Sequence, residues 1–263
     1  MVSSQDWMSG VGVSATALRA IPGGRHEVWQ VDTETTPYIL KRLASAERFE
    51  AEHTALMSIA GLAGTPALVA ASPEARLLLQ GVVPGKRPQR MKGHMLVSAG
   101  AFLKHLHARP VTTSGPASPE RLLRRASRAA HNVGERVDAD ILRRILSRVE
   151  DHADRVGPRV RVHGDFCARN WLWDARAGLG VIDWELSHEG SAFQDFARLG
   201  QGLRDPDFRG VFFYNYGRQI DREEEQLLDG LYGVETLLGL GKVLKEDRQQ
   251  LVRPLLDMLQ RWR

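Results

Sequence analysis

Polar and apolar positions alternate along the first part of the chain, and a repeat of three to four residues takes over afterwards. In "ALRAIPGGRHEVWQVDTETTPYILKRL" (17–43) the alternation predicts a strand, a Gly-Gly turn, a second strand, a polar turn and a third strand, "YILKRL". A helix follows in "SAERFEAEHTALMSIAGL", with Ser45 as its N-cap and Gly61 as its stop. "PALVAASPEARLLLQGVVPG" (66–85) reads as two more strands around a Ser-Pro turn. Beyond that point "HMLVSAGAFLKHLHAR" and "DADILRRILSRVEDHADRV" have helical periodicity, with Ile141, Ile145, Leu146 and Val149 on one stripe. A short strand pair interrupts at 160–185, and the remainder to Arg263 reads as helix. The pattern predicts an α+β chain: a strand-rich N-lobe over 1–83 and a mostly helical C-lobe over 84–263.

Composition narrows the class. With 43% apolar and 26% charged residues in 263, the chain has the make-up of a soluble globular protein. No apolar run reaches the roughly 18 residues of a membrane span, and "MVSSQDWMSGVGVS" lacks a signal-peptide pattern. The single cysteine, Cys167, precludes an internal disulfide, so a cytoplasmic setting is expected. The net charge of +4 is spread along helices such as "ERLLRRASRA", which reads as a solvated face; neither nucleic acid nor membrane is expected as a partner.

Candidate chemistry concentrates in 161–185. "NWLWDARAGLGVIDWE" (170–185) has two apolar runs flanking turn residues, a hairpin pattern. Alternation in "VIDWE" puts Val181, Asp183 and Glu185 on one strand face, where two carboxylates call for a cation. Asn170 with Asp183 offers oxygen ligands for a hard ion such as Mg²⁺, and Asp165 remains to orient a hydroxyl and accept its proton. Glu185 reads equally as a second metal ligand or as a salt-bridge partner, and His163 as a brace for the loop. In the N-terminal part Lys41 shares a strand face with Ile39 and Leu43. Glu52 falls on the apolar helix face of Phe49, Leu56 and Ile59, a position that demands a cation, and Lys41 is the natural one.

An aspartate, an asparagine five residues on and a later aspartate is the order of a kinase catalytic loop. "HGD" in place of "HRD" and "IDWE" in place of "DFG" resemble the aminoglycoside phosphotransferase and choline kinase superfamily of small-molecule kinases. "AFLKHLHAR" (101–109) is similar to the helix before that family's catalytic loop. "FQDFARL" is similar to its "DxA" segment, whose aspartate, here Asp195, braces the loop. The resemblance implies a bilobal protein-kinase-like fold, Mg²⁺, and ATP or GTP as phosphate donor. It implies Asp165 as the base, Asn170 and Asp183 as metal ligands, and Lys41, paired with Glu52, at the nucleotide phosphates. "PGGRHEVWQV" (22–31) resembles the family's "GG-x-x-N" start, with His26 where Asn is common; Gly23, Gly24 and Arg25 would cradle phosphate with backbone amides. Gln80, Val82 and Val83 sit at the expected purine-reading hinge.

The acceptor is expected to be a small molecule phosphorylated on a hydroxyl, an aminoglycoside, macrolide or nucleoside antibiotic, by a monomer or dimer. A metabolic kinase for choline, thiamine or a sugar is the alternative, and a pseudokinase-like nucleotide binder the non-enzymatic one. The absence of "DFG", "APE" and an activation segment disfavours a protein kinase.

Overall fold

β-Branched and aromatic residues favour strands where one face can be buried, and in the N-terminal third Val28, Trp29, Val31, Tyr38 and Ile39 do so, while other strands there rest on leucine and alanine. The computed structural model describes residues 4–23 and 25–262. In chain order its elements are α1 (Ser4–Gly10), β1 (Ala17–Ala20), β2 (Glu27–Asp32), β3 (Tyr38–Arg42), α2 (Ala46–Ser58), β4 (Leu68–Ser72) and β5 (Leu77–Gly81). Then come α3 (Gly93–His107), α4 (Glu120–Val133), α5 (Ala139–Asp151), β6 (Arg159–Val162), β7 (Trp171–Asp174), β8 (Gly178–Val181) and β9 (His188–Ser191). The chain closes with α6 (Phe193–Arg198), α7 (Pro206–Tyr216), α8 (Arg222–Lys245) and α9 (Val252–Leu259). The α+β class read from the sequence is the class observed.

Two compact units account for the chain, one of residues 1–90 with 168–188 and one of 91–167 with 189–263. The first is built on a five-stranded antiparallel sheet ordered β1-β2-β3-β5-β4. Leu40 stands opposite Leu79 and buries, with Met8, Val13, Val31 and Leu77, one face of the sheet. Helix α2 packs on β4 and β5. Its N-cap Ser45 takes the Arg48 N–H, and Phe49, Glu52, Ala55 and Leu56 form its buried stripe. Strands β7 and β8 form the expected hairpin, turned by the Asp174 carboxylate, which accepts the amides of Arg176 and Ala177. Lys86 bridges to Trp173 and the Val181 N–H donates to Gly64, so the hairpin is pinned to the first ninety residues.

The second unit is helical. The predicted stripe on α5 is buried at Ile141, Ile145 and Val149, while Leu146 is half-buried; α4 turns Leu122, Ala126, Ala129 and Val133 inward. Both pack on α8, whose start carries a capping box of Asp221 and Glu224. Each fully buried aliphatic side chain in such a stripe contributes about 1.5–3 kcal/mol. The triple glutamate Glu223–Glu225 occupies the first turn of α8, where the helix dipole favours negative charge. A second strand pair, β6 with β9, brackets the hairpin, and β9 falls beyond 185, where the periodicity predicted only helix.

Candidate functional site

Strand β3 delivers Lys41 to the face on which α2 packs, and one turn of α2 delivers Glu52. Lys41 Nζ donates to Glu52 Oε2 at 2.6 Å and to Asp183 Oδ1 at 2.8 Å. Gln80 on β5 donates to the other Glu52 oxygen at 3.2 Å. Glu52 is 1% exposed and Lys41 7%. Burial alone would lower the Lys41 ammonium, but Glu52 and Asp183 outweigh it and hold the ammonium above its ordinary value. Burial pushes the Glu52 carboxyl up against the pull of Lys41, so the lysine is what keeps that carboxylate charged. Asp183, at 39% side-chain exposure, is the solvent-facing member of the trio.

The hairpin end sets Asn170 and Asp183 together. Trp171 pairs with Val181, and the next rung is the Ile182 N–H donating to the Asn170 carbonyl at 3.0 Å. The strand alternation expected through "VIDWE" stops at Val181. Asp183 adopts a left-handed φ of 70°, a conformation that costs energy for a non-glycine residue, between β8 and the fully buried Trp184. The Trp184 indole N–H is tied to the Val181 carbonyl. Glu185 therefore leaves the strand face. Its Oε2 takes Arg48 at 2.7 Å and His26 Nε2 at 2.6 Å. His26 Nδ1 accepts the Ala44 N–H at 3.1 Å, so the ring proton sits on Nε2 and points at Glu185. His26 thus ties the glycine loop to the end of β3 and to the segment after β8. Within that loop, closed by the Ile21 N–H on Val28, Gly23 has a φ of 102° and Arg25 is exposed; Gly24 lies outside the described residues. Val82 is exposed and Val83 buried. Gly180 makes room for Val83, whose Cγ1 would stand 2.3 Å from any Cβ there.

The second unit holds Asp165. Asp195, on α6 and wholly buried, accepts the His163 N–H through Oδ2 and the Gly164 N–H through Oδ1, each at 2.8 Å. Gly164 has a φ of 80°, which accounts for glycine in "HGD". His163 Nδ1 accepts the Asp165 N–H at 3.2 Å. Behind Asp195 stands His107 of α3, with Nε2 at 3.1 Å from the carboxylate and Nδ1 at 2.9 Å from the Tyr216 hydroxyl. Burial would raise the Asp195 carboxyl, but the contact with His107 and the charges and amide around it hold it below the ordinary carboxylate range. Burial pushes the Tyr216 phenol up to about 12, so it remains a donor. Arg198 bridges Asp165 and Glu235, and Arg125 also reaches Glu235. The Cys167 thiol contacts Asp165 weakly at 3.8 Å.

A family model described as the phosphotransferase enzyme family, APH, matches residues 17–228, most of the chain. The chain belongs to the APH family. Solved structures agree on the fold of this APH-family chain. The macrolide 2′-phosphotransferase MphH of Brachybacterium faecium aligns over 97% of this chain and 96% of its own with a TM-score of 0.72 at 16% identity. A GDP complex of aminoglycoside 2′-phosphotransferase-IIIa aligns over 97% and 94% with a TM-score of 0.71 at 16% identity. A ternary complex of aminoglycoside phosphotransferase APH(4)-Ia with ADP and hygromycin B aligns over 99% and 98% with a TM-score of 0.71 at 14% identity. No curated protein sequence gives a significant match. As a member of the APH family the chain is an enzyme that phosphorylates hydroxyl groups of small molecules.

Several residues around these positions escaped the sequence reading. Arg198 follows Asp195 by three residues, one helical turn, and nothing in its local pattern marks it among the chain's many arginines. His107 was legible only as one of three histidines on α3; its place on the buried face beside Leu103 and Leu106 is the signal that it braces Asp195. Arg48 and His26 could be matched to Glu185 only in three dimensions. No cluster of three or more His, Cys, Asp or Glu side chains among the described residues is placed to hold a metal alone. Asp183 with Asn170 suits an ion that completes its shell with water and phosphate oxygens, as Mg²⁺ does. No helix among the described residues is long and apolar enough to cross a membrane.

Proposed function

We propose that the chain is a Mg²⁺-dependent kinase that moves the γ-phosphoryl group of ATP or GTP to a hydroxyl of a small antibiotic, inactivating it. The carrying observation is Lys41, a buried ammonium held by Glu52 on one side and by the more exposed Asp183 on the other. A lysine oriented this way offers its remaining hydrogen to nucleotide phosphate, and Glu52 keeps it from turning away. The Gly23–Arg25 amides cover the phosphates, and the backbone around Gln80, Val82 and Val83 reads the purine. Asn170 and Asp183 would hold Mg²⁺, which when bound neutralises phosphate charge. Asp165 orients the acceptor hydroxyl and takes its proton as the new P–O bond forms. Asp195 fixes the backbone that carries Asp165, and Arg198 fixes the rotation of its carboxylate.

Nucleotide-bound and antibiotic-bound relatives with this fold support the donor and acceptor classes: one holds GDP, another ADP with hygromycin B. The test is a screen with Mg-ATP and Mg-GTP over aminoglycosides, macrolides, nucleosides, choline, thiamine, sugars, sugar phosphates and hydroxy acids, reading nucleoside diphosphate. Turnover of an antibiotic that Asp165→Asn abolishes is the expected result. Turnover confined to choline, thiamine or a sugar would make it a metabolic kinase, and none with any acceptor would overturn the reading.

A further inference from the structure

Between α6 and α7 the chain carries Arg204 against one face of α8 and against the C-terminal turn Gln260–Trp262. Together they enclose a cavity of about 60 Å³ whose lining includes Arg204, Arg209, Tyr232 and Arg261. Two donors of the lining, Arg204 Nε and the Tyr232 hydroxyl, are buried without a hydrogen-bond partner, and so is the indole nitrogen of Trp262, the residue after Arg261. All three can donate, and Tyr232 is 4% and Trp262 2% exposed, so water does not reach them freely. Buried donors are nearly always paired, and two unpaired ones lining one cavity call for an acceptor.

The charges point the same way. The Arg204 guanidinium lies over the Tyr232 ring at 5.7 Å and the Trp262 ring at 5.4 Å, and no carboxylate among the described residues pairs with it. The two acidic side chains of the cavity are already engaged: Glu225 by Arg209, and Asp229 by both Arg148 and Arg261. Three guanidiniums against two carboxylates leave the lining with a surplus of positive charge. Burial and the cations of Arg204 and Arg148 push the Arg261 guanidinium down to about 10, so positive charge crowds the lining even though Arg261 reaches Asp229. Tyr232 precedes Glu235 on α8 by three residues, so the cavity lies about one helical turn from the carboxylate that holds Arg198, the arginine on Asp165.

We propose that this cavity is an oxyanion subsite, in which Arg204, stacked on Trp262, and the Tyr232 hydroxyl bind a carboxylate or phosphate group of the acceptor. The acceptor class that follows is a hydroxylated acid rather than a polycation. This assignment rests on the reading of Asp165 as the base of phosphoryl transfer.

Inorganic phosphate and, separately, acetate are titrated by calorimetry into the full chain, its Arg204→Gln form and its Tyr232→Phe form at constant ionic strength. Tyr232→Phe removes one oxygen and no volume, so it reports even where Arg204→Gln unfolds. The expected result is binding of at least one anion, weakened tenfold or more by Arg204→Gln and severalfold by Tyr232→Phe. Tighter phosphate than acetate identifies a phosphorylated acceptor, and the reverse a carboxylated one. No binding of either anion, or equal affinity in all three proteins, overturns the subsite. With Mg-ATP, Tyr232→Phe is expected to raise KM for a hydroxy acid or sugar phosphate while nucleotide KM stays fixed. Turnover of neutral or cationic acceptors alone overturns the acceptor assignment and leaves the kinase reading standing. Variant-sensitive anion binding with no turnover of any acceptor overturns the kinase reading and, with it, the assignment of the anion to an acceptor.

Discussion

Replacing Lys41 by methionine keeps an unbranched apolar stem, one atom shorter, and removes the ammonium with its charge and its donors. Glu52, 1% exposed, then loses the cation 2.6 Å away, and keeps Gln80 as its donor and the Asp183 carboxylate as an unfavourable neighbour. Breaking a buried pair on one side costs about 3–5 kcal/mol. The sign follows from a folded-state value above the ordinary 4.5: the penalty is absent below pH 4.5, where both states are protonated, and grows as pH rises through the folded value. Urea unfolding of the wild type and Lys41→Met at pH 5, 6, 7 and 8 is therefore expected to show a deficit that widens with pH. Adding Glu52→Gln to Lys41→Met should return most of it, because the amide carries no charge to strand. A deficit that is flat from pH 5 to 8, or a double variant no more stable than the single one, would show that Lys41 does not hold a buried carboxylate in its charged form.

Asp165→Asn is expected to lower phosphoryl transfer by at least about 100-fold while leaving the far-UV spectrum unchanged, and undiminished turnover would assign the base elsewhere. Asp195 holds its carboxyl below the ordinary 3.8, so its contribution to stability is present above that value and is lost as pH falls through the folded one. Asp195→Asn should thus cost about 2–4 kcal/mol at pH 7 and progressively less below pH 4, measured by thermal unfolding; equal deficits at pH 3 and 7 would contradict this. Gly164→Ala forces a side chain into a φ of 80° and is expected to destabilise the chain by about 1 kcal/mol or more and to reduce kcat, which thermal unfolding and steady-state kinetics would detect. His26→Ala unties the glycine loop from Glu185 and Ala44, and should raise nucleotide KM about tenfold; an unchanged KM would show that the tie is idle.

Local patterns recovered what local physics decides. Ser45 as a cap, the hairpin around Asp174 and the buried stripe of α5 depend on residues within a few positions of one another, and each is visible in the string. The Lys41–Glu52 pair was legible because an acid on an apolar helix face needs a cation. The bend at Asp183 was not, since alternation carries no signal for a single left-handed residue, and it moved Glu185 off the face the pattern gave it. The partners joined over long separations were out of reach as well: Tyr216 with His107 across 109 residues, and His26 with Glu185 across 159. Nothing in an arginine's immediate neighbours says which distant carboxylate it will meet, which is why Arg198 and Arg204 emerged only with the fold.

The hairpin of β7 and β8, together with the bend that follows it, belongs to the same unit as the first ninety residues. During synthesis, then, the N-terminal sheet leaves the ribosome without residues 168–188, and helices α3 to α5 and strand β6 are made before those residues arrive. Until then Gly64 and Lys86 lack their backbone partners in the hairpin, and Lys41 has Glu52 but not Asp183. A nascent chain cut short anywhere before residue 183 can bury the lysine but cannot aim it, so the groups proposed to meet the nucleotide become complete only once Asp183 has been made.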